Sequence, residues 1–483
     1  MSWLSKVVVP GLLCCHFGGA LSSSSPFLPD NGTFSGFDAD THQARDLNPN
    51  SPVDWRHIVA RVDQYVRSVQ SRVASTFNPD SDGAPPTVQD ANPPVYPTGL
   101  DNDLDGNLPH MLSLPSYGNW SGDRWQLRLR GSVYKRPSIS NRTIDRLARL
   151  FFLDSFLHTL SPREYSHLVT MVQGLFMLNQ RNVDVSFKLK PVSLERFPGQ
   201  QSDLFWYPPT GESVISAPYA TNFEGDFDFF IPVPKDSNSL FLPGDSTQRI
   251  QVIDVHTNLT NTGNSLTYLV PTTGHTLVSD IDDVLRVSTI YQPREGLKNL
   301  LTRPFYPWLN MPEIFARWAR RPDIHFHYLT TAPKQMAQSY MDFVFDYYPP
   351  GSYDGRIVNI SNVRGSFYIR KYLLERIIHT FPNRTFTLLG DSSNFDIMED
   401  FPRLAMEFPD QITCLLVRNT TATDLGHWVP YNTKWFRGLD QSMYMFFRVP
   451  DDLMGLDIAS GDCYNTSVPQ NLTFGWQGYP FSP

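Results

Sequence analysis

Three successive rhythms of apolar and polar residues run along the chain. Between positions 54 and 77, Trp55, Ile58, Val59, Val62, Tyr65, Val66, Val69 and Val73 recur at helical spacing, with Arg56, Arg61, Arg67 and Arg72 mostly elsewhere on the wheel. That pattern predicts an amphipathic helix docked on the protein body, with a basic face laid on anionic lipid as the sharper alternative. Pro-, Asn- and Asp-rich stretches flank it, so 21–115 reads as a flexible leader carrying one helix at 54–77. From Trp125 the period falls to two. Alternating stretches at 125–131, 183–192, 226–233 and 249–255, separated by Pro and Gly turns, predict a β-rich domain over 116–270, a small sandwich or barrel. A helical insertion at about 141–179 interrupts it. Beyond Thr276 the strands become continuously apolar and alternate with helical stretches. Strands are expected at 277–282, 324–329, 356–360, 385–389 and 413–417, and helices at 311–320, 335–348 and 370–380. Strands of that kind build a parallel sheet covered by helices, an α/β fold whose working residues sit where strands end.

Composition changes this picture in two ways. The 483 residues, 41% of them hydrophobic, suffice for more than one core. With 40 Lys and Arg against 48 Asp and Glu, the net charge of −8 excludes the basic footprint of a nucleic-acid binder. A basic start at 1–6, an apolar run at 7–17 and the small residues Gly18, Gly19 and Ala20 predict a signal peptide over 1–20. Sequons at Asn31, Asn119, Asn141, Asn258, Asn359, Asn383, Asn419, Asn465 and Asn471 agree with it, and together they predict a secreted or secretory-pathway glycoprotein. Cys14 and Cys15 lie in the leading apolar run. Cys414 and Cys463 remain, enough for one bridge or two free thiols and too few for a cysteine scaffold.

Candidate chemistry clusters after successive strands of the α/β segment. In Ser279-Asp280-Ile281-Asp282-Asp283-Val284, Asp280 and Asp282 leave an extended segment on one side. Like charges that close call for a cation, and an all-oxygen set suits Mg²⁺. Leu329-Thr330-Thr331-Ala332-Pro333 brings a hydroxyl and backbone N–H groups suited to phosphate oxygens. Arg370 and Lys371 open a helix and offer a cation. Gly390-Asp391-Ser392-Ser393-Asn394-Phe395-Asp396 adds two more acids. His325 and His327 alternate on one strand and read as packed histidines, since no third ligand lies at a matching spacing.

The order DxD, Thr, Arg/Lys, GDxxxxD resembles the haloacid dehalogenase superfamily. More narrowly, DIDDV, YLTTAP, FPNRTFTLLGDSSNFD and the closing Ala459-Ser460-Gly461-Asp462-Cys463 resemble the catalytic domain of the actin-patch phosphatidate phosphatases. The resemblance implies a phosphatase domain over 271–465, followed by a tail at 466–483. It implies Asp280 as nucleophile, Asp282 as general acid/base, Thr330 as phosphate-binding hydroxyl and Arg370 or Lys371 as site cation. Asp280, Asp282, Asp391 and Asp396 would serve the Mg²⁺. A lipid phosphate, phosphatidate foremost, is the implied substrate, and peripheral membrane contact is expected with it. Val284 stands where the family has Thr, Thr331 where it commonly has Asn, and Asp396-Ile-Met-Glu replaces its usual Asp-Pro-Glu. Two alternatives follow from those departures: a secreted lipid- or glycan-binding protein with a decayed site, or a phosphatase of soluble phosphoesters.

Overall fold

The computed structural model describes residues 108–477 except 137–156, 175–176, 192–212, 223, 235–240, 258–259, 261–262, 357–368, 425–429 and 471. The expected signal peptide, the helix at 54–77 and the leader as far as residue 107 lie outside the described residues, as do much of the helical insertion and Asn31, Asn141, Asn258, Asn359 and Asn471; the leader's last residues, 108–115, are described and carry a strand.

The chain first builds a nine-stranded mixed sheet. Its strands are β1 (His110–Leu114), β2 (Ser116–Ser121), β3 (Arg124–Lys135), β4 (Leu178–Asn179), β5 (Ser186–Pro191), β6 (Ser213–Ser216), β7 (Asp226–Pro232), β8 (Gln251–Thr257) and β9 (Ser265–Val270). They run in the order β1-β3-β2-β9-β8-β5-β6, with β4 and β7 also on β3. β1 begins ahead of the boundary expected at 116. Helix α1 (Pro162–Gly174) is the described part of the insertion, and by Leu178 the chain is again a strand. Its start is a capping box: Ser161 Oγ accepts from the Glu164 N–H while Glu164 accepts from the Ser161 N–H.

A six-stranded, wholly parallel sheet follows. It comprises β10 (His275–Asp280), β11 (Ile324–Pro333), β12 (Ser352–Arg356), β13 (Thr385–Asp391), β14 (Ile412–Arg418) and, after the short β15 (Tyr431–Asn432), β16 (Tyr444–Phe447). The helices are α2 (Pro293–Leu301), α3 (Met311–Trp318), α4 (Ala337–Tyr347), α5 (Ile369–Thr380) and α6 (Phe395–Glu407). Neighbouring side chains of β10 enter opposite cores. Leu277 joins the cluster holding Leu301, Phe315 and Tyr340 of α2, α3 and α4; Val278 joins Leu374, Ile377, Ile397 and Phe401 of α5 and α6. Both faces are thus covered, which explains the unbroken apolar runs. The order β12-β11-β10-β13-β14-β16 is 3-2-1-4-5-6 of a doubly wound sheet, and it reverses between β10 and β13. Ligand crevices form at that reversal, beyond the carboxyl ends of the strands.

The strand expected at 356–360 is displaced. β12 is the polar Ser352–Arg356, and 357–360 lie outside the described residues. The reason is its neighbour: β12 is buried against the first sheet, where polar side chains of β3 meet it. Arg128 and Arg130 both donate to the Asp354 carboxylate, Arg128 at 2.8 Å, and all three side chains are buried. Asp228 takes Arg128 at 2.9 Å and Arg376 of α5 at 2.7 Å. His327 Nδ1 and His325 Nε2 both bond to Ser352 Oγ, at 2.7 and 2.9 Å, so these histidines are packed groups. Nearby, Lys334 reaches from the end of β11 to Asp226 of β7 at 2.6 Å and to Ser132 of β3 at 3.0 Å. The apolar clusters also cross between the sheets, with Leu112 and Leu114 in the first and Tyr117 and Tyr268 in the second. Cys414 of β14 is bonded to Cys463, with Cα atoms 5.4 Å apart.

Burial alone would raise the Asp354 carboxyl, but Arg128 and Arg130 outweigh it and hold it well below the usual range. The resulting stability is present above the unfolded carboxyl value of about 3.9 and is lost as pH falls below it. Burial also pushes His327 down to about 4, so a second loss begins as pH drops below about 6.5. Asp354→Asn should cost about 3–5 kcal/mol at neutral pH, because two buried guanidinium groups lose their anion. Denaturant midpoints between pH 3 and 7 test this: the variant should also lose the steep drop below about pH 4.

Candidate active site

Every predicted acid of the first motif lies at the carboxyl end of β10, on the reversal. Asp280 is the last residue of β10 and is buried. Its Oδ1 accepts from the Ile281 N–H at 3.0 Å and faces Arg370 Nη1 at 3.1 Å. Burial raises its carboxyl to about 8; Arg370 pulls it down, while Asp391 and Asp282 add to the rise.

Asp283 makes the turn that follows. Its φ of +55° reverses the chain, a conformation Asp tolerates better than most residues. Its carboxylate then accepts the N–H groups of Ser288, Thr289 and Ile290 at 3.1, 2.6 and 2.9 Å. This loop sets Asp282 at the rim, where its side chain keeps 15% of its exposure. Ser288 Oγ donates to Asp282 Oδ1 at 2.6 Å, Thr330 Oγ1 to Oδ2 at 3.3 Å, and the Tyr340 hydroxyl lies 3.0 and 2.9 Å from the two oxygens. Thr330 reaches it because the pairing of β11 with β12 slips between Thr330 and Pro333, a bulge that re-aims the side chain.

Asp391 ends β13 and is buried. It accepts from the Ser393 N–H at 2.8 Å and from the Ser393 hydroxyl. Asn394 Nδ2 donates to Asp391 Oδ2 at 2.6 Å and to Asp280 Oδ2 at 3.3 Å, so one amide spans the two carboxylates across the sheet reversal. Gly390 permits this: a Cβ there would come within 2.8 Å of Ile397 and 3.1 Å of Phe401, and α6 could not sit so close.

The other predicted residues separate. Arg370 is buried between Asp280 and Asp396, with its Nε on Asp396 at 2.7 Å. Lys371, the next residue, pairs with Glu375 at 3.2 Å, away from Asp280; a helix turns successive side chains by about 100°. Asp396 is engaged by Arg370 and Asp282 by hydroxyls, while Asp280 and Asp391 face each other across the Asn394 amide. Val284 fills an apolar slot beside Ile281 and Leu285. Asp283, Ser288, Tyr340, Asn394 and Arg418 escaped the sequence reading. Asp283 and Asn394 alone carried a signal, their places in DIDDV and GDSSNFD. Arg418, buried at the end of β14, donates to the Asp283 carbonyl and to Asp424.

Burial pushes the carboxyls of Asp391 and Asp283 up as it does Asp280. Arg370 and Arg418 leave part of this negative charge unmatched, and the donors are hard oxygens. Among the described residues no three or more His, Cys, Asp or Glu side chains form a metal cage. A small hard cation asks for less, taking one or two carboxylates and filling its shell with water and substrate phosphate. Asp280 and Asp391 fit that role.

A doubly wound sheet with a buried, arginine-paired aspartate at its reversal and a second acid facing it can carry phosphoryl chemistry. Residues 275–419 match the family model described as the catalytic domain of phosphatidate phosphatase APP1. A curated relative, phosphatidate phosphatase APP1 of Saccharomyces cerevisiae, is 27% identical over 151 residues, which are 29% of this chain and 25% of the relative. The match thus spans about a quarter of that relative's length.

Mg²⁺ should raise the thermal midpoint of the protein, by the equivalent of about 2.7 kcal/mol at a hundred times its Kd. Asp391→Asn should lose that increment while folding normally in its absence. Calorimetry with and without the ion measures both.

Proposed function

We propose that the chain is a Mg²⁺-dependent phosphatase working through an aspartyl phosphate on Asp280, with phosphatidate or a related lipid phosphate as substrate. One observation carries the reading: Asp280 is buried at the sheet reversal with Arg370 on one oxygen and Asp391 joined to the other through Asn394. When bound, Mg²⁺ would supply charge neutralisation between phosphate and carboxylates, held by Asp280 and Asp391. Arg370 offsets the charge on the nucleophile and, in turn, on the phosphoryl oxygens. Asp396 fixes that guanidinium. Asp280 attacks phosphorus, and Asp282 supplies a proton to the departing oxygen and later takes one from the hydrolytic water. The lipid substrate rests on the name of the relative and on the family resemblance. The fully buried Val284 speaks against decay, since it replaces a hydroxyl with good packing and leaves the acids in place.

We propose further that the protein is processed in the secretory pathway, on the strength of the leading apolar segment, nine sequons and a Cys414–Cys463 bridge suited to an oxidising compartment. Asn383, exposed in the turn before β13, is a ready acceptor. Glycosidase treatment should lower the apparent mass, and Asn383→Gln should remove one glycan from the secreted protein.

The decisive assay follows diacylglycerol and inorganic phosphate released from phosphatidate in mixed micelles with Mg²⁺. Asp280→Asn should abolish turnover, Arg370→Ala should cost at least about 10²-fold, and Lys371→Ala should stay within about twofold. Turnover that survives Asp280→Asn overturns the mechanism. Action on soluble phosphoesters with none on phosphatidate overturns the substrate.

A further inference from the structure

Asp282 is held more firmly than an exposed rim acid needs to be. Its Oδ1 takes the 2.6 Å bond from Ser288, the Tyr340 hydroxyl bridges both oxygens, and Arg286 Nε lies 3.6 Å away. The weakest donor is Thr330, at 3.3 Å on Oδ2. Tyr340 is placed with care: it sits on the buried face of α4 with Ala337, Met341 and Val344, its ring edge-on to Phe305 at 5.3 Å. Arg286 lies over Phe305 at 3.6 Å and over Tyr340 at 5.2 Å, so ring and guanidinium brace each other. Burial and the Asp282 charge keep the Tyr340 hydroxyl protonated, a permanent donor.

We propose that Tyr340, seconded by Ser288, is a positioning residue that orients the Asp282 carboxylate so that Oδ2 faces the leaving oxygen of the substrate. The idea rests on the proposed phosphatase reading, in which Asp282 is the acid. Ser288 anchors Oδ1, while the Tyr340 hydroxyl lies between the two oxygens, 3.0 Å from Oδ1 and 2.9 Å from Oδ2, and fixes the plane of the carboxylate. Oδ2 is the oxygen that turns to the leaving group, because its other donor, Thr330, makes the longest bond and its hydroxyl can turn to a phosphate oxygen. In the first displacement the bond from Asp280 to phosphorus forms and the bond from phosphorus to the leaving oxygen breaks. The electron pair stays on that oxygen, which takes the proton from Asp282 Oδ2 and leaves a carboxylate behind. Orientation therefore matters in proportion to how badly the leaving group needs a proton. An alkoxide needs it; p-nitrophenolate, stable as an anion in neutral water, does not.

The test compares kcat/KM of the full-length wild type, Tyr340→Phe, Ser288→Ala and Asp280→Asn on p-nitrophenyl phosphate and on phosphatidate in mixed micelles, with Mg²⁺. Tyr340→Phe should lose at least about tenfold on phosphatidate, a fraction of the 10²–10⁴ that general acid catalysis provides, and stay within about twofold on the aryl ester. A merely structural defect would lower both alike. Ser288→Ala should show the same bias and carries the test if Tyr340→Phe does not fold. Equal loss on both substrates, or no loss on either, overturns the role of Tyr340 and Ser288 while an inactive Asp280→Asn leaves the phosphatase reading standing. A wild type that turns over neither ester, or an active Asp280→Asn, overturns both proposals.

Discussion

Carboxylates withdrawn from water are costly unless something positive or proton-donating meets them, and this molecule withdraws several at one place. Asp280 and Asp391 end adjacent parallel strands at the point where the winding reverses, so their side chains converge while helices on both faces exclude solvent. Arg370 answers part of the charge, and the Asn394 amide and Ser393 answer more. What is left over is expressed in the raised carboxyls of Asp280 and Asp391. The remaining features serve that concentration of charge: the left-handed Asp283 turn that carries Asp282 back to the rim, the bulge that aims Thr330, and the glycine that lets α6 approach.

The same rule governs the contact between the two sheets. Arg128, Arg130 and Asp354 are buried together, with Asp228, Arg376 and the Ser352-linked histidines around them. Removing any one partner strands the others, so the pairing specifies a single seating of the first sheet on the second more than it adds stability. Lys334 extends this seating to the loop after Thr330, because it is held by Asp226 and Ser132 of the upstream sheet. The upstream strands thereby brace the loop that follows Thr330.

Much of this was legible in the pattern of residues. Unbroken apolar runs such as 385–389 and 413–417 announced central parallel strands, because both of their faces are covered. DIDDV and GDSSNFD announced acids at strand ends. What escaped was polar and long-range. β12 is Ser-Tyr-Asp-Gly-Arg, which looks like a turn until Arg128 and Arg130, more than two hundred residues earlier, are set against Asp354. Helix α6 was hidden because Asp396 and Pro402 obscure its period. Tyr340 read as one more core aromatic on α4, and its hydroxyl acquires meaning only beside Asp282, 58 residues away.

By itself, then, the sequence determined the alternation of elements, the likeness of the 275–419 segment to a known catalytic domain and the placing of acids at strand ends, since periodicity and motif spacing are local properties of the chain. Only the tertiary structure decided which cation faces Asp280, which acids are already spoken for and who holds Asp282. Those outcomes depend on angles about a helix and on contacts between distant strands. Arg370 and Lys371 make the point: adjacent in the chain and alike in charge, they are separated by one helical step that buries the first against Asp280 and pairs the second with Glu375.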